Sequence, residues 1–163
     1  MAPPVWSVGQ VLSAADVNAW FVPIAAYKTG VTSRTSTTLT IDPDLQVTVA
    51  ANAVYQVTGN INYQNATGAS AISWNFTIPA AASGAYAATY VVPGPTTAGW
   101  GNGWTNTVQA AASDNLSHGF DHVGTLVIAG TAGTFGLQWA CFTASAGAVA
   151  VNTGSSLSLQ RVG

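Results

Sequence analysis

Apolar and polar residues alternate with a period of two along most of the chain after residue 36. Such alternation is typical of β-strands with one face buried and one face in solvent. Turn-forming residues separate the runs, as at Asp42-Pro43-Asp44 and Asn52. The apolar positions of the main runs are Leu39 and Ile41; Leu45, Val47 and Val49; Tyr55, Val57, Ile61 and Tyr63; Ile72, Trp74, Phe76 and Ile78; Tyr86, Ala88, Tyr90 and Val92; Leu126 and Ile128; Phe135, Leu137, Trp139 and Cys141; Val149 and Val151; Leu157 and Leu159.

The pattern predicts about eight to ten short strands at hairpin spacing and almost no helix after residue 27. The chain is therefore predicted to be all-β, a jelly-roll-like antiparallel sandwich over residues 31–163. An immunoglobulin sandwich is less favoured because the chain lacks the Cys–Trp–Cys pattern of that fold. Trp74 and Trp139 stand on the apolar side of their strands and are predicted to be core residues.

The first thirty residues follow a different pattern, with a predicted short helix after an extended, proline-bearing start. Ser13 is a suitable N-cap, and Val17, Trp20, Phe21 and Ile24 recur at helical spacing on one face. Pro23 disfavours continuation, so the helix is predicted to end near Phe21.

Two or three helical turns do not persist alone in water, so this helix must dock on something. Residues 1–30 are therefore predicted to be an anchoring arm that binds a neighbouring molecule. The predicted anchoring side chains are Trp6, Val17, Trp20 and Phe21.

Charge is scarce, because only three basic and five acidic residues occur among 163, and Glu is absent. A typical domain has about a quarter of its residues charged, whereas here the share is 5%. A monomer with so little charge lacks the repulsion that keeps copies apart, so most of its surface is predicted to be covered by partners. This favours a structural part of a fixed assembly over a free enzyme.

The same composition argues against several other classes. Three scattered cations cannot follow a phosphate backbone, so no nucleic-acid partner is predicted. No apolar run is long enough for a membrane-spanning helix, and the start lacks the features of a signal peptide. The lone Cys141 is predicted to be a buried apolar residue.

One cluster has metal-binding residue types, His118 and His122 with Asp121. A loop that leads into a strand near Val123 is predicted here, and extended residues four apart stand about 13 Å from each other, too far to share a zinc ion. The Asp42 and Asp44 pair could hold calcium, but turn formation is the commoner role. No metal or other cofactor is predicted.

Asp114, Ser117 and His118 are the residue types of a catalytic triad, but they are neighbours in sequence and no nucleophile elbow is present. No catalytic residue is predicted.

The loop Gly99 to Trp104 reads G-W-G-N-G-W. If exposed, Trp100, Asn102 and Trp104 would form a rigid amphipathic platform for a sugar ring or a protein partner. The alternative, slightly favoured, is that both tryptophans fold back over the end of the sandwich as a lid.

Three stretches resemble tail and fibre proteins of phages that infect actinobacteria. W-x-x-G-Q-V-L-S-A-A-D-V-N (Trp6 to Asn18) resembles their opening motif. G-T-L-V-I-A-G-T-A-G-T-F-G-L-Q-W-A (Gly124 to Ala140) and G-S-S-L-S-L-Q-R-V (Gly154 to Val162) are similar to the last strands of their jelly-roll heads.

This resemblance implies a virion protein that forms a homotrimeric knob, related in shape to tumour-necrosis-factor and C1q heads, and it supplies no catalytic residues. The expected function is a minor tail or fibre-tip protein that contacts the host envelope or a host glycan. The alternatives are a capsid decoration protein of the same build and, less favoured, a carbohydrate-binding or carbohydrate-active β domain.

Overall fold

The computed structural model describes residues 7–65, 71–90, 97–99, 103–110, 117–144 and 147–163. Within these ranges the chain forms one α-helix and twelve β-strands. The elements are α1 (Ala14–Phe21), β1 (Ile24–Tyr27), β2 (Thr32–Arg34), β3 (Thr40–Val49), β4 (Ala53–Asn65), β5 (Ile72–Thr77), β6 (Ser83–Tyr90), β7 (Thr97–Gly99), β8 (Val108–Ala110), β9 (Ser117–Ile128), β10 (Gly133–Cys141), β11 (Val149–Val151) and β12 (Ser156–Arg161).

The strands form two antiparallel sheets, which confirms the predicted all-β class. Sheet A has the order β1-β12-β4-β9-β6-β7, and β11 also pairs with β4 and carries β2 at its other side. Sheet B has the order β3-β10-β5-β8. The chain thus crosses between the sheets repeatedly, as it does when β3 in sheet B is followed by β4 in sheet A.

The core consists of the apolar positions of the alternating runs. Trp74 and Trp139 have no exposed surface, as predicted, and Trp74 stacks on Phe120 with ring centroids 4.1 Å apart. Cys141 is also buried and is not part of a disulfide. Full burial of one such side chain stabilises the fold by about 1.5–3 kcal/mol, so the inward-facing rows supply most of the driving force for folding.

The predicted turn at Asp42-Pro43-Asp44 is wrong, because β3 continues through it. Ile41 pairs with Gln138 and Gln46 pairs with Gly136, so residues 42–45 of β3 lie opposite one residue of β10. The extra residues form a bulge, which bends the strand without ending it. Turn-forming residues suit a bulge as well as a turn, since both need a local break in the strand pairing.

Asp42 holds this bulge in place from inside the protein. Its carboxylate accepts hydrogen bonds from Lys28 Nζ at 2.9 Å and from Trp139 Nε1 at 2.9 Å. It also accepts from the backbone N–H groups of Asp44 and Leu45, at 3.0 and 3.2 Å. The side chains of Lys28 and Asp42 are fully buried. A buried charge pair persists only when its polar atoms are satisfied, and the carboxylate meets that condition.

Arg34, in β2, binds the backbone of β3 and of β10 close to the Asp42 bulge. Its guanidinium donates hydrogen bonds to the carbonyl oxygens of Thr40, Ile41 and Trp139, at 2.6, 2.9 and 2.6 Å. It also lies over the Trp139 ring, 4.1 Å from the centroid, in a cation–π contact. These contacts hold residues 28–34 against the paired strands β3 and β10.

The predicted boundary at residue 30 needs a correction, because the last part of the 1–30 segment lies in the sandwich. β1 pairs with β12 over its full length, from Ile24 opposite Leu159 to Tyr27 opposite Ser156. Lys28 follows directly and reaches Asp42. Ile24, which the helical spacing placed on the helix face, is therefore a strand residue, and α1 ends at Phe21.

Replacement of Asp42 by Asn is expected to destabilise the protein by about 3–5 kcal/mol, because the buried Lys28 ammonium loses its counter-charge. An Asn amide also cannot accept from all of these donors at once. The free energy of unfolding, measured in urea, gives the effect. Asp44→Asn is the matched control, since Asp44 is partly exposed and contacts Lys28 only at 3.4 Å. Equal losses in the two variants would contradict this account.

Candidate functional site

Of the Gly-Trp loop, the structure describes Gly99, at the end of β7, and Gly103 and Trp104, whereas Trp100 and Asn102 lie outside the described residues. Trp104 lies in the core and is only 1% exposed. Its indole Nε1 donates a hydrogen bond to the Thr125 carbonyl oxygen at 2.9 Å. Its own carbonyl oxygen accepts from the Phe76 backbone N–H at 2.8 Å. Trp104 is therefore a lid residue, and its ring is not part of an exposed platform.

Aromatic rings surround Trp104 in favourable geometries. The indole stacks on Tyr86 at a centroid distance of 4.8 Å and meets Phe76 and Phe135 edge-on at 5.2 and 5.0 Å. Offset stacked and edge-to-face pairs each add about 0.5–1.5 kcal/mol beyond the area that they bury. Burial also raises the pKa of Tyr86 to about 12. The cluster joins β5, β6 and β10 to the loop before β8.

Two glycines make the space that the indole fills. A Cβ at Gly124 would stand 2.8 Å from Trp104 Cζ2 and 2.5 Å from the Ala85 carbonyl oxygen. Gly84 has φ of +124° and lies 3.1 Å from the indole nitrogen by the same measure. The two glycines lie within strands β6 and β9, and a glycine within a strand often marks a place where another group approaches closely. They are the feature of the sequence that could have indicated a large side chain packed there from another segment of the chain.

Trp104→Ala is expected to lower the free energy of unfolding by about 3–5 kcal/mol, because it leaves a cavity between the sheets. Trp104→Phe is the matched control, since it keeps a ring in the cavity while it removes the hydrogen bond to Thr125. A smaller loss, about 1–2 kcal/mol, is expected for the control. Urea denaturation followed by circular dichroism measures both. A Trp104→Ala protein as stable as the wild type would show that the ring does not support the core.

His118, Asp121 and His122 lie within strand β9, and the strand begins at Ser117 instead of near Val123 as predicted. Asp121 faces outward and its Oδ1 accepts a hydrogen bond from Asn60 Nδ2 at 2.6 Å. His122 faces inward and is 3% exposed. Neighbouring strand residues point to opposite faces, so Asp121 and His122 cannot act on one ligand. Among the described residues no group of three His, Cys, Asp or Glu side chains could hold a metal ion.

His122 is a histidine in an apolar setting. It lies 4.9 Å from Phe76 between ring centroids, and a Cβ at its pairing partner Gly59 would stand 2.2 Å from its Cε1. Neither ring nitrogen has a hydrogen-bond partner among the described residues. Burial lowers the pKa of His122 to about 4, although the charge of Asp121 acts in the opposite direction. A neutral histidine of this kind is a poor general base at neutral pH.

The pKa of His122 is lower in the folded protein than the ordinary value of about 6.5, so the unfolded chain binds the proton first. Stability is therefore complete above pH 6.5 and falls as the pH is lowered towards 4. The expected loss over this range is about 3 kcal/mol. Unfolding free energies measured at pH 7.5 and pH 4 give the difference.

His122→Leu is the control for that measurement, and the dependence between pH 7 and 4 is expected to become much flatter. Asp44 contributes in the same direction in both proteins, because the Thr29 backbone N–H, helped by the charge of Lys28, lowers its pKa. Identical pH dependence in the wild type and in His122→Leu would assign the effect to other groups.

The predicted anchoring residues lie in or before α1. Val17 and Phe21 are 37% and 63% exposed, so the described part of the helix presents apolar side chains to solvent. Trp6 and the Trp20 side chain lie outside the described residues. The exposed large apolar side chains of this segment and of the residues that follow it are Val8, Val11, Leu12, Val17, Phe21, Val22, Ile24, Tyr27 and Val31.

A cleft of about 340 Å³ lies between α1 and the end of the sandwich. Asn18 and Val22 line it from the helical side, and Tyr55 and Arg161 line it from sheet A. The Arg161 Nε also donates to the Gly163 carbonyl oxygen at 3.3 Å. Within the described residues no helix is both long and apolar enough to cross a membrane.

Comparisons with known proteins give little further information. No protein-family model matches this chain, and no curated protein matches it. Among solved structures, the chain is similar to the tripod (BppUct-A-L) from the baseplate of bacteriophage Tuc2009, with 10% identity, a TM-score of 0.43, and coverage of 98% of this chain and 74% of that one. A structure of infectious bursal disease virus, Gt strain, gives 10% identity, a TM-score of 0.17 and coverage of 98% and 45%. Similarities this low establish neither the fold nor the function.

Proposed function

We propose that this chain is a non-enzymatic structural protein of a phage virion, a minor tail or fibre-tip protein that assembles as a homotrimer. The observation that carries the proposal is the placement of its few charges. Half of the charged residues lie close together, and their side chains bond mainly to one another and to backbone groups. These residues are Lys28, Arg34, Asp42 and Asp44. The broad sheet faces are left almost uncharged, as suits surfaces that are covered by neighbours in an assembly.

The strand pairing supports the jelly-roll part of the proposal. β1 pairs with β12, β3 with β10, β4 with β9, and β5 with β8. Among these eight strands the first therefore pairs with the last, the second with the next to last, and so on inward. This nested antiparallel order is that of a chain folded into a long hairpin and rolled into two sheets, the eight-stranded jelly roll. β2, β11 and the hairpin β6–β7 are additions to it.

The N-terminal segment supports an anchoring role. A helix of eight residues with exposed Val17 and Phe21 gains stability by docking its apolar face on a partner. Residues 1–23 would then form the arm that binds other virion proteins, and residues from Ile24 onward would form the head. The resemblance of Trp6 to Asn18 to phage tail and fibre proteins agrees with this division.

Contact with a host envelope or glycan would fall to loops at one end of the sandwich. Trp100 and Asn102 remain the proposed contact residues, whereas the ring of Trp104 is buried. Enzymatic function is disfavoured by the chemistry of the described side chains, since His122 is buried and weakly basic and the buried Asp42 is saturated with hydrogen bonds.

A capsid decoration protein of the same build is the second candidate, favoured by the same uncharged faces. The number of copies per particle separates the two, because a tail tip holds few copies and a decorated shell holds many. Quantitative mass spectrometry of purified particles gives that number. Absence of the protein from particles would contradict both candidates.

Phe21→Asp is expected to abolish incorporation into particles while the sandwich stays folded, because it places a charge on the apolar face of α1. Val31→Asp is the matched control, since Val31 is exposed to a similar degree, 60% against 63%, and lies beyond the proposed arm. Particles assembled with each variant are analysed by mass spectrometry, and thermal melts check folding. Equal incorporation of the two variants would contradict an anchoring role for α1.

A further inference from the structure

The outer face of sheet A is broad and almost without charge. Its residues fall in rows that cross five strands, because the register of β1, β12, β4, β9 and β6 is continuous. One row consists of Ala25, Ser158, Thr58, Val123 and Ala87. The next row consists of Tyr27, Ser156, Asn60, Asp121 and Thr89.

The side chains on this face are small, apolar, or both donors and acceptors of hydrogen bonds. Val123 and Val127 are 50% and 39% exposed on β9 and form its main apolar contribution. The outward residues of β4 are Val54, Gln56, Thr58, Asn60, Asn62 and Gln64. Of the described residues on the face, Asp121 alone is charged, and it is bonded to Asn60.

We infer that the outer face of sheet A is the surface through which copies of this chain bind one another. The inference rests on the proposed homo-oligomeric virion protein and assigns its interface. In a cyclic trimer, residues near the three-fold axis meet their own copies, and the rest of each interface meets other residues of the neighbouring copy. A charged side chain repels its copy, whereas an amide or hydroxyl can donate to its copy and accept from it, and an apolar side chain packs against it.

The size of the face agrees with this occupant. The strands of sheet A span an area on the order of 800 Å², from a rise of about 3.4 Å per residue and a strand spacing of about 4.8 Å. A stable interface buries about 800 Å² on each partner. The face is therefore large enough to hold an assembly together.

Other occupants fit the face less well. A sugar ring binds best on an exposed aromatic ring, and within these two rows the only aromatic side chain is Tyr27, at the outer edge. A charged protein partner would be matched by charges of the opposite sign, and the face offers one carboxylate. The test distinguishes both of these occupants from a second copy of the chain.

The test introduces a negative charge into the middle of the face at two places on separate strands. Val123 and Thr58 lie opposite each other in one row, and Val123→Asp or Thr58→Asp would each add a negative charge beside Asp121 on the same face. Each variant is expected to raise the concentration at half assembly roughly a hundredfold or more. Light scattering and analytical ultracentrifugation over a dilution series measure it, with the wild type expected to contain three chains.

Two controls accompany these variants. Thr134→Asp puts the same charge on an exposed strand position of sheet B and is expected to leave assembly unchanged. Val123→Thr keeps the shape of the side chain without a charge and is expected to assemble nearly as the wild type does. Thermal melts show which variants are folded, and Thr58→Asp decides the matter if Val123→Asp does not fold.

The outcomes separate the inference from the proposed function. A wild-type oligomer that Thr134→Asp disrupts and the sheet A variants leave intact would place the interface on sheet B and overturn the inference alone. A wild-type monomer at micromolar concentration would overturn both the homotrimer and this interface. Loss of glycan or host-cell binding in the sheet A variants, with assembly intact, would assign the face to a different occupant and also overturn the inference.

Discussion

The buried carboxylate of Asp42 is the constraint on which much of this architecture depends. It joins Lys28, which follows the edge strand of sheet A, to β3 and to Trp139 of β10, both in sheet B. One charge thus fixes the bulge in β3, the path of the chain between the sheets and the orientation of a core tryptophan. Such a group is expensive to desolvate, so it persists only where every lone pair has a partner. The protein concentrates half of its eight charged residues at this place, and Asp121 is the one charged side chain described on the outer face of sheet A.

The strands could be predicted because their alternation is local. Tyr55, Val57, Ile61 and Tyr63 of β4 face the core as their spacing indicates, and the two-sheet class follows from many such runs. The continuation of β3 through Asp42 could not be predicted, since a turn and a bulge use the same residues. The choice between them is made by Lys28 and Trp139, which are distant in sequence. Short strands such as β1 and β2 were missed for a related reason, because they are too short to show a period.

The candidate site could not be predicted for the same reason, because its contacts come from residues that are distant in sequence. Gly-rich sequence around Trp104 indicated either an exposed platform or a lid, and local pattern could not separate them. The answer depends on space supplied by Gly124 and on a carbonyl of Thr125, both on a strand that follows the loop. The sequence predicts a loop at His122, because Gly119 precedes it and the next strand is expected to begin near Val123. In the fold it occupies an inward position whose aromatic surroundings come from β5, β6 and β9 itself.

The contact between Gly59 and His122 also restricts how this sequence can diverge. The two residues pair across β4 and β9, and the imidazole occupies the volume that any side chain at position 59 would need. A substitution at Gly59 therefore becomes acceptable only after His122 has been replaced by something smaller. Replacement of His122 first would remove the nearer obstacle, but the Ser156 carbonyl oxygen, 2.8 Å from a Cβ at position 59, would still have to shift. Related sequences should therefore carry a side chain at position 59 only together with a smaller residue at position 122.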